Sequence, residues 1–244
     1  MPPLFQNILL FGFIAAVATM AGAYLVLLNQ KRAKAYVLYI IAASAGVLLG
    51  ATFLHLLPEA LELNRYALSF TLLSFLCFYL IEQLVVVHPC DEPHCDTHKL
   101  KVGRMSFLAF AVHSLLDGMA VAVGFSINPF LGLVSAVAVI LHELPEGIST
   151  VTLLIYADYP PKKALRMSAI VAFATPVGAV LTYFLLPYVT GPIQGGLLGL
   201  VAGSFLYVAA ADLIPETHRA GNRKTFVFML LGLAFLILVT KFFE

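Results

Sequence analysis

Two apolar stretches of the sequence each carry a histidine followed four residues later by a carboxylate. One holds His113 and Asp117, and the other holds His142 and Glu146. Positions i and i+4 of an α-helix lie on one face, so each helix would present an imidazole beside a carboxylate. Two imidazoles and two carboxylates suit Zn²⁺ or a similar divalent transition metal. The spacing therefore predicts one shared metal site between two helices.

The composition indicates that these helices lie in a membrane. Hydrophobic residues make up 61% of the 244 residues and charged residues 11%, whereas soluble domains have about 25% charged residues. We predict an all-α integral membrane protein with a single transmembrane domain, residues 1–244, whose partner is the lipid bilayer. The net charge of +1 gives no indication of nucleic-acid binding. The predicted spans, each roughly 20 residues long, cover residues 5–28, 36–57, 67–87, 105–127, 130–156, 165–186, 193–214 and 224–243.

The basic residues predict the orientation of these spans. Of the 14 Lys and Arg residues, twelve fall in or beside the connections that join spans one and two, three and four, five and six, and seven and eight. Because short cytoplasmic loops are enriched in Lys and Arg, both termini are predicted to lie outside.

Spans two and seven end in similar strings, one running from His55 to Pro58-Glu59 and the other from Asp212 to Pro215-Glu216. The two spans run in opposite directions, which predicts an inverted 3+2+3 repeat with spans four and five in the middle. Transporters are often built in this way. His55 and Asp212 would then lie on the routes into and out of the site. The alternative is that the string is an ordinary helix end.

Several residues beside the four candidate ligands could modify the site. Pro145 removes a main-chain donor and frees the carbonyl of Leu141, which predicts a kink. Gly118 and Gly147 follow the two carboxylates and would let the two helices approach closely.

Ser114 and Glu143 each follow a site histidine by one residue. They point about 100° round the helix, so they would border the site rather than share its face. We predict Glu143 to be a secondary ligand or a proton acceptor. For the four candidate ligands themselves, the alternative is a buried polar cluster that only ties helices together.

The predicted cytoplasmic loop 88–104 is rich in histidine and cysteine, a composition typical of metal capture. Its spacing matches no structural zinc module, and a solvated linker is the alternative. The candidate ligands are His88, Cys90, His94, Cys95 and His98.

The glycine row of span seven, Gly195, Gly199 and Gly203, predicts a close helix contact. That contact could lie inside the chain or in a homodimer.

These features resemble the ZIP (Zrt-/Irt-like) family of divalent metal transporters. The resemblance covers essentially the whole chain, and the paired motifs beginning at His113 and His142 carry most of it. Supporting strings are Phe53–Glu59, Ala174–Gly178 and Gly203–Asp212.

The family likeness implies a bundle of three, two and three helices that moves zinc, iron or manganese into the cytoplasm. It also implies ligand roles for His113, Asp117, His142 and Glu146. Some relatives hold a second metal with an amide or acid after the span-four histidine and an acid before the span-six proline. Here Ser114 and Thr175 occupy those positions, which argues against a full second site.

We therefore predict a metal carrier of the plasma or inner membrane, not an enzyme. Zinc, or else iron, manganese or cadmium, is its substrate and no cofactor is expected. One alternative is an intramembrane zinc hydrolase, because His142-Glu143 begins a His-Glu-x-x-His motif. Position 146 is Glu, however, and a four-ligand site keeps no open position. The other alternative is a metal-selective channel.

Overall fold

The computed structural model describes the backbone of residues 3–28, 30–86, 96–219 and 223–243. Over these ranges every regular element is a helix and no strand is present. Seven of the helices are long and apolar enough to cross a membrane, and a further apolar helix begins at Ala67 and has 20 residues. The prediction of an all-α integral membrane protein is confirmed.

We number the helices α1 to α8 in the order of the predicted spans. Helices α2 and α7 each contain a π-helical turn between two α-helical segments, which we treat as parts of one helix. The bounds are α1 Pro3–Leu28; α2 Gln30–Ala51, Thr52–Leu56 and Leu57–Leu63; α3 Ala67–Val86; α4 Asp96–Ile127; α5 Pro129–Tyr156; α6 Pro161–Leu185; α7 Gly191–Tyr207, Val208–Leu213 and Ile214–Arg219; and α8 Lys224–Phe243.

The observed bounds follow the predicted spans to within five residues, except at the start of α4 and at both ends of α2, which covers residues 30–63 instead of 36–57. Helix α4 begins at Asp96, whereas the apolar pattern predicted a start at residue 105. Residues 96–104 are mostly polar, so hydropathy marks only the apolar part of a helix that continues beyond it.

Helices α2 and α7 contain their π-helical turns at corresponding places, just before Pro58 and Pro215. The N–H of Leu57 donates to the carbonyl of Thr52, and the N–H of Ile214 donates to that of Ala209. A proline cannot donate to the carbonyl four residues earlier, and a π turn shifts the hydrogen-bond pattern by one residue.

The eight helices divide into two groups by their closest contacts. Helices α1, α4, α5 and α6 form the central group, and α2, α3, α7 and α8 form the flanking group. The most extensive helix contacts lie within these groups. Every glycine for which the structure gives neighbours meets them inside its own group. Glycine lets backbones approach closely, so these contacts join the helices of each group tightly.

In the central group, α1 packs against α5 through a reciprocal pair of glycines. Gly22 lies against the carbonyl of Leu144, and Gly147 lies against the carbonyl of Thr19. A side-chain carbon at either glycine would overlap main-chain atoms of the other helix.

The same contact recurs between α4 and α6. Gly178 lies against the carbonyl of Leu115, and Gly118 lies against that of Thr175. The prediction that Gly118 and Gly147 bring α4 and α5 together was therefore wrong, because each glycine packs on an outer neighbour. Sequence spacing placed both glycines one residue beyond the site carboxylates but could not assign the helix that each one meets.

In the flanking group, Gly46 and Gly232 join α2 to α8, and Gly199 and Gly203 pack against Ala67 and Thr71 of α3. The glycine row of α7 is therefore used inside the chain. In the predicted repeat, α1, α2 and α3 correspond to α6, α7 and α8, and α4 corresponds to α5. Under this exchange the pair α1–α5 becomes α6–α4, and the pair α2–α8 becomes α7–α3.

Candidate metal site

The four predicted ligands lie together in the middle of the central group. One ligand atom from each of His113, Asp117, His142 and Glu146 lies within 4.8 Å of all the others, and all four side chains are buried. Helices α4 and α5 each contribute an i, i+4 pair, as the spacing predicted. The i, i+4 pattern was thus sufficient to predict that these four residues lie together.

Asp117 Oδ2 lies between the two imidazoles of the cluster. It is 3.4 Å from His113 Nε2 and 3.3 Å from His142 Nε2, and His113 Nε2 is 3.8 Å from Glu146 Oε2. A tetrahedral zinc ion with bonds of about 2.0–2.1 Å has ligand atoms about 3.4 Å apart. Two of these separations match a closed four-ligand zinc site, and the cluster as a whole, with its ligand atoms within 4.8 Å of one another, is slightly wider.

The ring of His142 is oriented by its own helix. Its Nδ1 lies 2.8 Å from the carbonyl oxygen of Ala138, which can only accept, so Nδ1 carries the hydrogen. In the neutral ring, Nε2 then presents its lone pair to Asp117. Metal-binding histidines usually have such a partner on the second nitrogen, because it fixes the tautomer and the ring orientation.

Other atoms of the cluster are buried without a hydrogen-bond partner. They are both ring nitrogens of His113 and Oδ1 of Asp117. A buried polar group left unpaired costs about 1–3 kcal/mol. A bound cation would compensate part of this cost, since it attracts the carboxylate and accepts a lone pair from imidazole.

Ser114 positions the fourth ligand. Its hydroxyl donates to Glu146 Oε1 at 2.7 Å, which leaves Oε2 directed to the cluster. The prediction that Ser114 borders the site rather than sharing the ligand face agrees with this contact.

Glu143 is completely buried beside the cluster and is bound by two threonines. Thr175 donates to Oε1 at 2.6 Å, and Thr19 lies within hydrogen-bonding distance of Oε2. The two hydroxyls come from α6 and α1, so one carboxylate of α5 joins three helices. In this structure Glu143 does not belong to the four-residue cluster.

Sequence reasoning missed Thr19, although the chain contains a signal for it. The string Ala-x-Ala-Thr-x-x-Gly-Ala occurs at 16–23 in α1 and again at 172–179 in α6. Thr19 and Thr175 occupy its fourth position, and Gly22 and Gly178 its seventh. A comparison of spans one and six would therefore have found both the threonine pair and the glycine pair.

A cavity of about 810 Å³ leads from the cluster to one end of the bundle. It is lined by His113, His142 and Glu146 at its inner part and by Glu82, Asp212 and Glu216 among others farther out. The helix ends at its mouth precede or follow the connections that hold most of the Lys and Arg residues, so we call this the basic end. The opposite end, at which the described part of the chain begins with Pro3 and ends with Phe243, is called the terminal end.

The protein is packed on the terminal side of the cluster. The ring of Phe205 is buried and its centroid lies 5.5 Å from that of His142. Leu48, Leu56 and Leu198 are fully buried in the adjoining core. His55 lies nearer the terminal end, with its ring 5.4 Å from that of Phe130. The structure thus separates His55 from the cluster, whereas Asp212 shares the cavity with it.

The carbonyl of Leu141, which Pro145 leaves without a main-chain donor, accepts a hydrogen bond from another helix. Ser44 of α2 is buried and its hydroxyl donates to the oxygen of Leu141 at 2.7 Å. This hydrogen bond joins the flanking group to the central group one residue from His142. Sequence reasoning identified the unpaired carbonyl but had no means to choose its partner on another helix.

The candidate ligands of the loop cannot be placed. His88, Cys90, His94 and Cys95 lie outside the described residues, and for His98 only the backbone of α4 is described. The prediction of metal capture by this loop therefore stays a prediction.

Comparison with known proteins gives a consistent result. Residues 88–240 match a family model described as ZIP Zinc transporter. The chain is 28% identical to the zinc transporter ZupT of Chlorobium luteolum over 240 residues, which are 89% of this chain and 90% of that protein. It is 29% identical to an uncharacterized protein of Methanocaldococcus jannaschii over 78% of this chain and 79% of the other.

An animal protein is also similar. The zinc transporter zipt-7.1 of Caenorhabditis briggsae is 23% identical over 75% of this chain, and the match spans 62% of that longer relative.

Proposed function

Because this chain belongs to the ZIP zinc transporter family, we propose that it carries zinc across the membrane through the cluster of His113, Asp117, His142 and Glu146. Members of the family are transporters, so the chain is a transporter of divalent metal ions and not an enzyme. The metal is the transported substrate. The single observation that supports the site is the buried four-residue cluster, whose size is close to that of a tetrahedral zinc site.

The direction of transport is inferred from the basic residues and the cavity. We place the basic end in the cytoplasm by the positive-inside rule, and the protein in the plasma or inner membrane. The cavity then opens the cluster to the cytoplasm while Phe205 and its neighbours close it toward the outside. Zinc would arrive from outside, lose water, bind the cluster, and leave past Asp212 and Glu216.

A site open to one side only supports a carrier rather than a channel. The central group holds all four ligands on α4 and α5, and its glycine contacts join it into one unit. No described glycine makes a close contact between the two groups. We therefore propose that the central group moves against the flanking group, so that the same cluster opens alternately to each side.

The remaining partners follow from the same proposal. The bilayer surrounds the bundle. A homodimer stays a prediction, and it would need a face other than the glycine row of α7, because that row packs on α3.

The proposal is tested by zinc uptake into proteoliposomes. The wild-type protein should show saturable uptake, and His142→Ala should abolish it. His218→Ala is the matched control, because this exposed histidine lies outside the cluster and the cavity lining. Competition by iron, manganese and cadmium would rank the substrates. Uptake that does not saturate would favour a channel, and uptake that survives His142→Ala would contradict the site.

A further inference from the structure

The hydrogen bond between Ser44 and Leu141 crosses the boundary along which the central group is proposed to move. The carbonyl of Leu141 needs an outside donor in any conformation, because Pro145 has no N–H to offer it. This contact is partly buried, and a carbonyl shielded from water is costly to leave unpaired. If α5 slides along α2, this carbonyl must exchange Ser44 for another donor.

Helix α2 lies alongside α5 in a regular antiparallel register. Ser44 is opposite Leu141, and His55 is opposite Phe130, so the two contacts are eleven residues apart on both helices. With a rise of about 1.5 Å per residue, the helices run side by side over about 16 Å. Sliding α5 toward the terminal end would carry the Leu141 carbonyl from Ser44 toward His55.

A second hydroxyl lies farther along α2 in that direction. Thr52 is eight residues beyond Ser44, about 12 Å farther along α2. It is completely buried, and its Oγ1 has no hydrogen-bond partner. The π-helical turn that begins at Thr52 packs against α5. A buried hydroxyl without a partner is uncommon in a protein interior and calls for an explanation.

We propose that Ser44 and Thr52 are alternative donors to the Leu141 carbonyl. Ser44 binds it in the conformation described here, and Thr52 binds it after the central group has moved about two helical turns toward the terminal end. The inference rests on the proposed alternating-access function and names the contact that would stabilise each of its two end states.

The residue that lies midway between Ser44 and Thr52 in the sequence, Leu48, explains why the two donors would favour two discrete states. Leu48, midway along α2, is buried and has no side-chain donor. The carbonyl is therefore paired at each end of the movement and unpaired between them, which favours two discrete states over a continuum. Each hydroxyl that loses the carbonyl becomes the unpaired group of that state, as Thr52 is here.

The test measures how often the cavity is open at the basic end. Ser149 lines the cavity and is replaced by cysteine in a background with Cys77→Ser, Cys90→Ser and Cys95→Ser. The purified protein is reconstituted, and a membrane-impermeant maleimide is applied to the basic end. The labelling rate reports the population open to that end.

The two variants have different expected effects. Ser44→Ala should lower the labelling rate by about threefold to tenfold, the effect of losing one hydrogen bond. Thr52→Val should leave labelling as fast or faster, and should slow zinc uptake by a similar factor because the other state is destabilised. Thr52→Ser keeps the hydroxyl and should restore wild-type uptake.

Matched controls remove a buried hydroxyl that binds a carbonyl of its own helix. They are Ser168→Ala, bound to Ala164, and Thr71→Val, bound to Ala67. If Thr52→Val matches Thr71→Val in uptake, or Ser44→Ala matches Ser168→Ala in labelling, the inference is overturned. If the wild-type protein transports no zinc but Ser44→Ala still slows labelling and Thr52→Val does not, the function is wrong and the pair of donors stands.

Discussion

Thr19 and Thr175 lie on different helices, α1 and α6, yet their hydroxyls bind the two oxygens of one carboxylate. That carboxylate belongs to Glu143, which is fully buried beside the four-residue cluster. The threonines occupy the same position in a string that α1 and α6 share. These hydrogen bonds agree with the predicted inverted repeat, in which α1 corresponds to α6, because Glu143 receives one from each of these two helices.

Removing either hydroxyl should destabilise the protein. In Thr19→Val or Thr175→Val one oxygen of buried Glu143 is left unpaired, which costs about 1–3 kcal/mol. Thermal unfolding in detergent should show a lower midpoint for both variants, and by similar amounts. Thr71→Val is the control, because Thr71 binds only the carbonyl of Ala67 in its own helix. Midpoints no lower than that of the control would contradict a structural role for the pair.

The two glycine contacts of the central group should be equally sensitive. In Gly22→Ala and Gly178→Ala a new methyl group would overlap the main chain of the neighbouring helix. We expect each to lose about 1–3 kcal/mol through forced displacement. Gly191→Ala should be neutral, because its nearest atom would be Leu63 Cδ2 at 3.9 Å. Size-exclusion chromatography after graded heating would measure the stability of all three variants. A Gly178→Ala variant as stable as the wild type would contradict the prediction that the two glycine contacts are equally sensitive.

Zinc should stabilise the folded protein through the cluster. At a zinc concentration 100 times the Kd, one site contributes about 2.7 kcal/mol, and a chelator should remove the effect. Asp117→Ala should abolish the zinc-dependent rise of the unfolding midpoint, because Asp117 Oδ2 contacts both imidazoles. Glu62→Gln alters an exposed carboxylate outside the cavity and should respond to zinc as the wild type does.

Pro145 and Ser44 should be coupled. Ser44→Ala leaves the Leu141 carbonyl without a donor, whereas Pro145→Ala supplies a main-chain N–H that can pair with it. The double-mutant cycle on the unfolding midpoint should therefore give a coupling of roughly 1 kcal/mol. Purely additive effects would mean that the serine does not act through this carbonyl.

Local patterns predicted a large part of this molecule. Apolar runs gave the eight helices to within five residues, except at both ends of α2 and where α4 continues as a polar helix to Asp96. The i, i+4 spacing of His113 with Asp117 and of His142 with Glu146 was enough to predict the cluster, because two helical faces meet there.

Local sequence patterns could not predict which helices, far apart in the sequence, contact each other. The spacing of Gly118 and Gly147 predicts close packing but does not say against which helix, and the expected partner was wrong. The donor to Leu141 depends on the register of α2 against α5, which no local pattern encodes. Thr19 was accessible only by comparing two spans with each other.

The composition of the two groups has a consequence for biosynthesis. The glycines of α1 meet partners on α5 and α6, and those of α2 meet partners on α8. During synthesis the first three helices therefore enter the bilayer before any of these partners has been made. Tight assembly must wait for the second half of the chain, and until then the earliest helices have only lipid and one another as neighbours.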